Sequence, residues 1–188
     1  MRNILAEATV DETFPQDFGI YDLPEFLSGI GHLYNEPELI FDNESYVLIK
    51  EANSFSRYFF ADPSLIKTPP DKSIELPSED VCFSLNTKDL DRLTKSASIY
   101  QLPDLSVVGD SNTVRLVVCD KKSSTSNEYS IEVGETVNDF VFNFKIENLR
   151  LIKGSYEVVL SQKHVARFQN TDIDVKYHIT MEPDSTFS

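Results

Sequence analysis

The sequence is poor in several things, and each shortage removes a class of activity. Its 188 residues include no tryptophan, two methionines and only six glycines. With so few glycines, loops that wrap a phosphate closely through backbone N–H groups are not expected. No G-x-S-x-G elbow, Gly-rich phosphate loop, H-E-x-x-H helix or C-x-x-C pair occurs. The two cysteines, Cys82 and Cys119, lie in the apolar runs VCFSL and LVVCD, where reduced core residues are expected. His32, His164 and His178 are scattered, so no metal site is predicted. No apolar run reaches the roughly 18 residues of a membrane span, and no signal-peptide pattern is present. A soluble, intracellular protein is expected. Acidic pairs such as Asp89/Asp91 and Glu79/Asp80 have the residue types of a general acid and base, but in so acidic a chain they read as solvated surface. Neither catalysis nor a cofactor is predicted.

Positive charge is also scarce. Seventeen Lys and Arg stand against 31 Asp and Glu, a net charge of −14. Spread evenly, that balance would exclude a nucleic-acid partner, because phosphate binding needs a positive surface. It does not exclude one if the few cations share a face.

What is present favours strands. Hydrophobic residues make up 40% of the chain, and the aromatics are 13 Phe and 8 Tyr, types that pack well on a pleated surface. Alternating segments cover Ile4 to Val10, Asp17 to Tyr21, Glu38 to Phe41, Tyr46 to Lys50 and Phe55 to Phe60. Further on they cover Val81 to Leu85, Asp104 to Val108, Thr113 to Cys119, Glu128 to Val133, Asp139 to Phe144, Tyr156 to Leu160, Val165 to Phe168 and Val175 to Met181. Three segments read as helices. Asp22 to Tyr34 carries the stripe Leu23, Phe26, Leu27, Ile30 and Leu33, with Pro24 in its first turn. Thr87 to Tyr100 carries Leu90, Leu93, Ala97 and Tyr100, with Thr87 as N-cap. The third, Lys145 to Ile152, is short. The class is α+β.

Residues 62–77 hold four prolines without periodicity and read as a stiff connector. On either side the order is alike: a strand (FGIY or FVFNF), a helix, then three strands, at an offset of roughly 122 residues. This points to a duplicated unit. The second copy opens with a further strand, helix and strands within Val81 to Val133, whereas the first has only Arg2 to Val10 upstream. The expected domains are 1–62, partial, and 78–188, complete, joined by a connector at 63–77.

Lys88, Arg92 and Lys95 fall at i, i+4 and i+7 of the second helix, one face of it. They are either an ordinary solvated face or a phosphate-tracking one. Lys145, Arg150 and Lys153 form a looser group. Against DNA, both groups would give sequence-independent, salt-sensitive contact.

The chain resembles the sliding clamps of T4-type phages. The resemblance is carried by Ala6-Glu7-Ala8, Ile20-Tyr21-Asp22-Leu23 with Phe26-Leu27, Ala61-Asp62-Pro63-Ser64, Asp89-Leu90 with Leu93, Phe142-Asn143-Phe144, Gly154-Ser155-Tyr156 and Asp184-Ser185-Thr186, in order over nearly the whole length. It implies a two-domain clamp fold with curved antiparallel sheets outside and helices inside, in a head-to-tail homotrimer around double-stranded DNA. Carried over by position, Lys88, Arg92, Lys95, Lys145, Arg150 and Lys153 would face the DNA. A partner-peptide pocket would involve Leu65, Ile66, Ile179, Met181, Pro183 and Phe187, although these residues could equally close the core of the second domain. Ring contacts would use Tyr58, Phe60, Tyr129 and Ile131. The implied partners are DNA polymerase, an ATP-driven clamp loader and, further, late-transcription factors, in the cytoplasm of an infected host and with no membrane involved. The usual first strand and first pore helix have no counterpart here. A second reading is therefore a clamp-fold fragment that docks proteins without encircling DNA, and a third an acidic β-sandwich module.

Overall fold

The computed structural model describes residues 3–66 and 75–188. Its strands and helices run in the order β1 (Ile4–Ala8), α1 (Leu23–Leu33), β2 (Glu38–Ile40), β3 (Tyr46–Glu51), β4 (Ser54–Phe59), β5 (Val81–Leu85), α2 (Thr87–Tyr100), β6 (Asp104–Asp110), β7 (Thr113–Cys119), β8 (Tyr129–Glu135), β9 (Asp139–Lys145), β10 (Tyr156–Ser161), β11 (Val165–Asn170), β12 (Val175–Thr180) and β13 (Thr186–Phe187). The chain divides into Asp11–Asp71 and a larger unit made of Met1–Val10 with Lys72–Ser188. The fold is α+β with antiparallel sheets.

In the larger unit, among the described residues, two five-stranded sheets run β1-β12-β11-β10-β5 and β13-β9-β6-β7-β8. Alternation along each strand sends one set of side chains inward. In β5, Val81, Phe83 and Leu85 are buried while Cys82 and Ser84 point out. Phe142, Phe144, Leu160 and Ile179 lose all exposure, each such burial supplying about 1.5–3 kcal/mol. Helix α2 lays Leu90, Leu93 and Ala97 into the same core. It begins at Asn86, whose side chain accepts the Asp89 N–H at 2.9 Å. It ends at Gln101 in the left-handed region, φ 56°, with its N–H on the Ala97 carbonyl.

The smaller unit is the meander β2-β3-β4 with α1 against it. Asp22 caps α1 by accepting the Glu25 N–H at 2.9 Å. The core is small: Phe26, Tyr34, Val47 and Ile49. Three strands are too narrow to cover the whole apolar stripe of α1, so Leu23, Leu27 and Leu33 stay exposed and Ile30 is half-buried.

Several expectations are corrected. Asp17–Tyr21 is not a strand. Gly19 gives one backbone bond, accepting the Ala61 N–H at 2.9 Å, and a Cβ there would meet Ile66 Cδ1 at 2.5 Å. Lys145–Ile152 is not an α-helix but one 3₁₀ turn, Ile146–Asn148, because no side chain caps it and Leu149 leaves helical geometry at φ −96°, ψ 42°. Asn86, not Thr87, caps α2. Cys82 is exposed, Cys119 is half-buried, and Tyr100 is 47% exposed rather than packed inward. The first strand also lies elsewhere. Residues 1–62 are expected as one domain, yet β1 pairs with β12 from Ile4↔Ile179 to Ala8↔Val175, inside the larger unit. Most of the connector, residues 67–74, falls outside the described residues.

Candidate nucleic-acid and partner surfaces

Burying Leu90, Leu93, Ser96 and Ala97 turns the opposite side of α2 to solvent, where Lys88, Arg92 and Lys95 are all exposed. Asp89 accompanies Arg92 at 3.7 Å, and Asp91 reaches Lys153 Nζ at 3.5 Å. The Lys153 pair draws the segment after β9 alongside α2. Ile146 and Leu149 of that segment line one small apolar cavity with Leu90, Leu93 and Thr94. Arg150, on the same segment, is exposed. Lys88, Arg92, Lys95 and Lys153 thus share one neighbourhood, with Arg150 on the loop that flanks it.

Lys145 is differently placed. Its Nζ donates to Asp104 Oδ1 at 2.5 Å across the β6·β9 ladder, and Asp104 is 1% exposed. The hydrogen bond to Asp104 holds the Lys145 ammonium above the usual lysine range. Lys145 is half-buried and committed to Asp104, apart from the α2 surface.

The residues carried over for a peptide pocket divide similarly. Ile179 and Met181 are buried in the larger core. Phe187, half-buried on β13, lies 6.0 Å from Phe140 and 5.9 Å from Phe142, ring to ring and stacked. Pro183 is exposed beside Asp184, whose carboxylate is held below its usual range by the Lys121 hydrogen bond. Leu65, in the smaller unit, is 67% exposed, and Ile66 is half-buried. The tail residues therefore serve chiefly to close the larger core.

For chain-to-chain contact, β4 and β8 each occupy the edge of a sheet, with one neighbour apiece among the described residues. Tyr58 faces α1, its ring 4.9 Å from Phe26, and Phe60 packs 5.4 Å from Phe18, ahead of that helix. Tyr129 and Ile131 pack partly against the larger core. The outward residues of β4 are Phe55 (62% exposed) and Phe59 (65%), with Arg57 over the Tyr46 and Phe55 rings at 5.4 and 5.8 Å. The alternation in SFSRYF marks these three, although they are not among the residues expected at the ring contact. Among the described residues no cluster of His, Cys, Asp and Glu could hold a metal, and no helix is long and apolar enough to cross a membrane.

Comparison with known proteins places this geometry. A family model described as gp45 sliding clamp, C terminal, matches residues 82–183. The sliding clamp of Vibrio phage KVP40 is 29% identical over 185 residues, 95% of this chain and 82% of that protein. Those of Escherichia phage RB69 and Enterobacteria phage T4 are 26% and 24% identical, with 96% of this chain and 82% of each relative covered. Among solved structures, the DNA polymerase III β subunit of Borrelia burgdorferi superposes with a TM-score of 0.69 at 12% identity, covering 97% of this chain. The chain spans 51% of that subunit. Proliferating cellular nuclear antigen from Entamoeba histolytica superposes with a TM-score of 0.56 at 16% identity, covering 86% of this chain and 70% of that one. At such identities the likeness is one of fold.

Proposed function

This chain belongs to the gp45 sliding-clamp family, and from that premise we propose that it works as a processivity clamp: a ring of three copies that encircles duplex DNA, tethers a DNA polymerase and performs no chemistry. The observation that carries the ring is the β1·β12 ladder. Strands β2-β3-β4 repeat β10-β11-β12, and β1 stands before its copy of the repeat as β8 stands before the other. Within the chain, β1 of the first copy adds to β12 of the second. By the same rule β8 of the second copy adds to β4 of the first, in the next chain. Transferring the register strand for strand sets Tyr129 opposite Tyr58 and Val133 opposite Ser54 of a neighbouring copy, with Phe55, Arg57 and Phe59 along the outer side. Such a contact is head-to-tail, and it closes a ring only when the rotation from one copy to the next is right.

The surface of Lys88, Arg92, Lys95 and Lys153, with Arg150 beside it, supports the DNA-facing role. These side chains meet phosphates without reading bases, so the grip is sequence-independent and falls with salt, while the surplus acid elsewhere repels DNA from other faces. Exposed Leu65 supports a polymerase-peptide contact near the connector, and a loader ATPase and late-transcription factors would use the same kind of docking. Action in the cytoplasm of an infected host follows from this reading. Two measurements together test it. The mass in solution at micromolar concentration should be that of three chains, and the protein should stay on circular DNA but run off linear DNA. A monomer that shows no preference for circles would overturn the ring and leave a protein-docking module.

A further inference from the structure

The two strands that close the proposed ring carry opposite charge. Strand β4 reads SFSRYF, with Arg57 its one charged residue. Strand β8 reads YSIEVGE, and with Glu128 just before it presents Glu128, Glu132 and Glu135 and no lysine or arginine. These four charged side chains are exposed, and none enters an ion pair among the described residues. Arg57 lies over the Tyr46 and Phe55 rings, which hold its guanidinium on the face of β4 turned away from α1. The ladder inside the chain shows what strands so placed do when paired. Across β1·β12, Glu7 is opposite Lys176, with one carboxylate oxygen 2.9 Å from the ammonium. Its other oxygen is 3.7 Å from Nδ1 of His178, which is diagonal to it.

We propose that Arg57, set between Glu128 and Glu132 of a second copy, is the residue that makes the contact head-to-tail. Under the register transferred to β8 and β4, Glu132 takes the place of Glu7 and Arg57 the place of His178. The faces agree as well. Tyr129, Ile131 and Val133 pack against the core that holds α2, and Tyr58 packs on α1. Glu128, Ser130 and Glu132 therefore share the opposite face with Phe55, Arg57 and Phe59. Ser130 is then across from Arg57, and the two glutamates are its diagonal neighbours, within reach of a long side chain. A slide of two residues keeps the faces matched and puts one glutamate directly opposite Arg57. Pairing of like edges gains nothing comparable. Strand β8 against β8 would bring three glutamates from each side together, and β4 against β4 two arginines, with no opposite charge at either contact. The assignment rests on the ring reading and adds to it the charges that orient each junction.

The test measures the concentration at which the trimer dissociates, by sedimentation equilibrium, for four full-length chains. They are the wild type, Arg57→Glu, Glu128→Lys with Glu132→Lys, and all three changes together. Each partial reversal turns two attractive pairs into repulsive ones and should raise that concentration roughly tenfold. The chain with all three changes, its charges exchanged across the contact, should return to within about threefold of wild type. Both losses should shrink at about 1 M salt, where the screening length falls to about 3 Å. A wild-type trimer that neither partial reversal weakens would overturn the assignment and leave the ring standing. Losses that persist undiminished in the chain with all three changes would overturn it too. A wild-type monomer or dimer would overturn the ring and the assignment with it.

Discussion

The two units share a repeated meander and differ in how it is finished. In the larger unit, β10-β11-β12 is flanked by β5 and β1 and shares one core with a second sheet and α2, and its central side chains are sealed from water. In the smaller unit the equivalent three strands have two bare edges among the described residues and one helix whose leucines remain half-exposed. The same local pattern gives a closed core in one setting and a thin one in the other. Stability therefore resides in what surrounds the repeat. The helices differ as well: α2 presents Lys88, Arg92 and Lys95, while α1 carries Glu25 and no lysine or arginine.

The sharpest way to break this comparison is to hollow out each core in turn. Phe142→Ala, at a site with no exposure, should cost about 3–5 kcal/mol. Ile49→Ala in the thin core should cost about 2 kcal/mol, because few neighbours surround it and they can relax. Urea denaturation followed by residue-resolved hydrogen exchange would assign each loss to its unit. Equal losses spread over both units would mean that they do not fold separately.

Next in size is the pair of half-buried Lys145 with buried Asp104; among the described residues the smaller unit has no ion pair. Lys145→Met leaves the Asp104 carboxylate buried without its cation and should destabilise that unit by about 3 kcal/mol; adding Asp104→Asn should restore most of it. Because Asp104 raises the Lys145 pKa, this stabilisation is fully present below the ordinary lysine value of about 10.4. It is lost only as pH climbs through the raised one. Wild type and Lys145→Met should then converge in strongly alkaline denaturation curves and differ at neutral pH.

A third experiment compares the helices. Reversing Lys88, Arg92 and Lys95 to glutamate should lower DNA retention and reduce the slope of log affinity against log salt by about 2.7, roughly 0.9 for each phosphate no longer neutralised. Glu25→Gln on α1 should leave that slope unchanged. The same slope after the triple reversal would remove α2 from the DNA surface.

The smallest effect is expected at His178, which is 4% exposed. Burial holds it below the usual histidine range, against the pull of Glu7 and with the help of Lys176 and Arg167. Stability tied to its neutral form is present above about pH 6.5 and is lost as pH falls through the lowered value. His178→Gln should flatten the mildly acidic limb of the stability curve, by less than about 1.4 kcal/mol per pH unit.

Much of this architecture is legible from residues alone. Period-two runs locate the strands of both meanders, and the spacing of Leu90, Leu93 and Ala97 locates α2, because burial on one face dictates both patterns. The misplacements have physical causes. Strand pattern without a partner leaves Asp17–Tyr21 irregular, since a strand is stabilised by its ladder and Gly19 makes only one bridging bond. Adjacent Asn86 and Thr87 can both cap a helix, and only geometry selects Asn86. The capture of Lys145 by Asp104 depends on the β6·β9 register, which composition does not encode. Alternation does distinguish outward Phe55, Arg57 and Phe59 from inward Tyr58 and Phe60, whereas aromatic character alone does not separate the two sets. The cations of α2 are readable because helical spacing is local. Lys153 joins them through a tertiary ion pair that no local pattern reveals.

Because β1 and β5 occupy opposite margins of one sheet, residues 11–71 form an excursion that leaves that sheet and returns to it. The two margins are four strand spacings apart, roughly 19 Å. A protease that cut anywhere in the excursion would sever the backbone without dismantling the sheet, since β1 would remain zipped to β12 by its five-residue ladder. The nicked protein would run as two pieces under denaturing conditions and as a single particle otherwise, and its amino-terminal piece could be exchanged for a tagged or altered version.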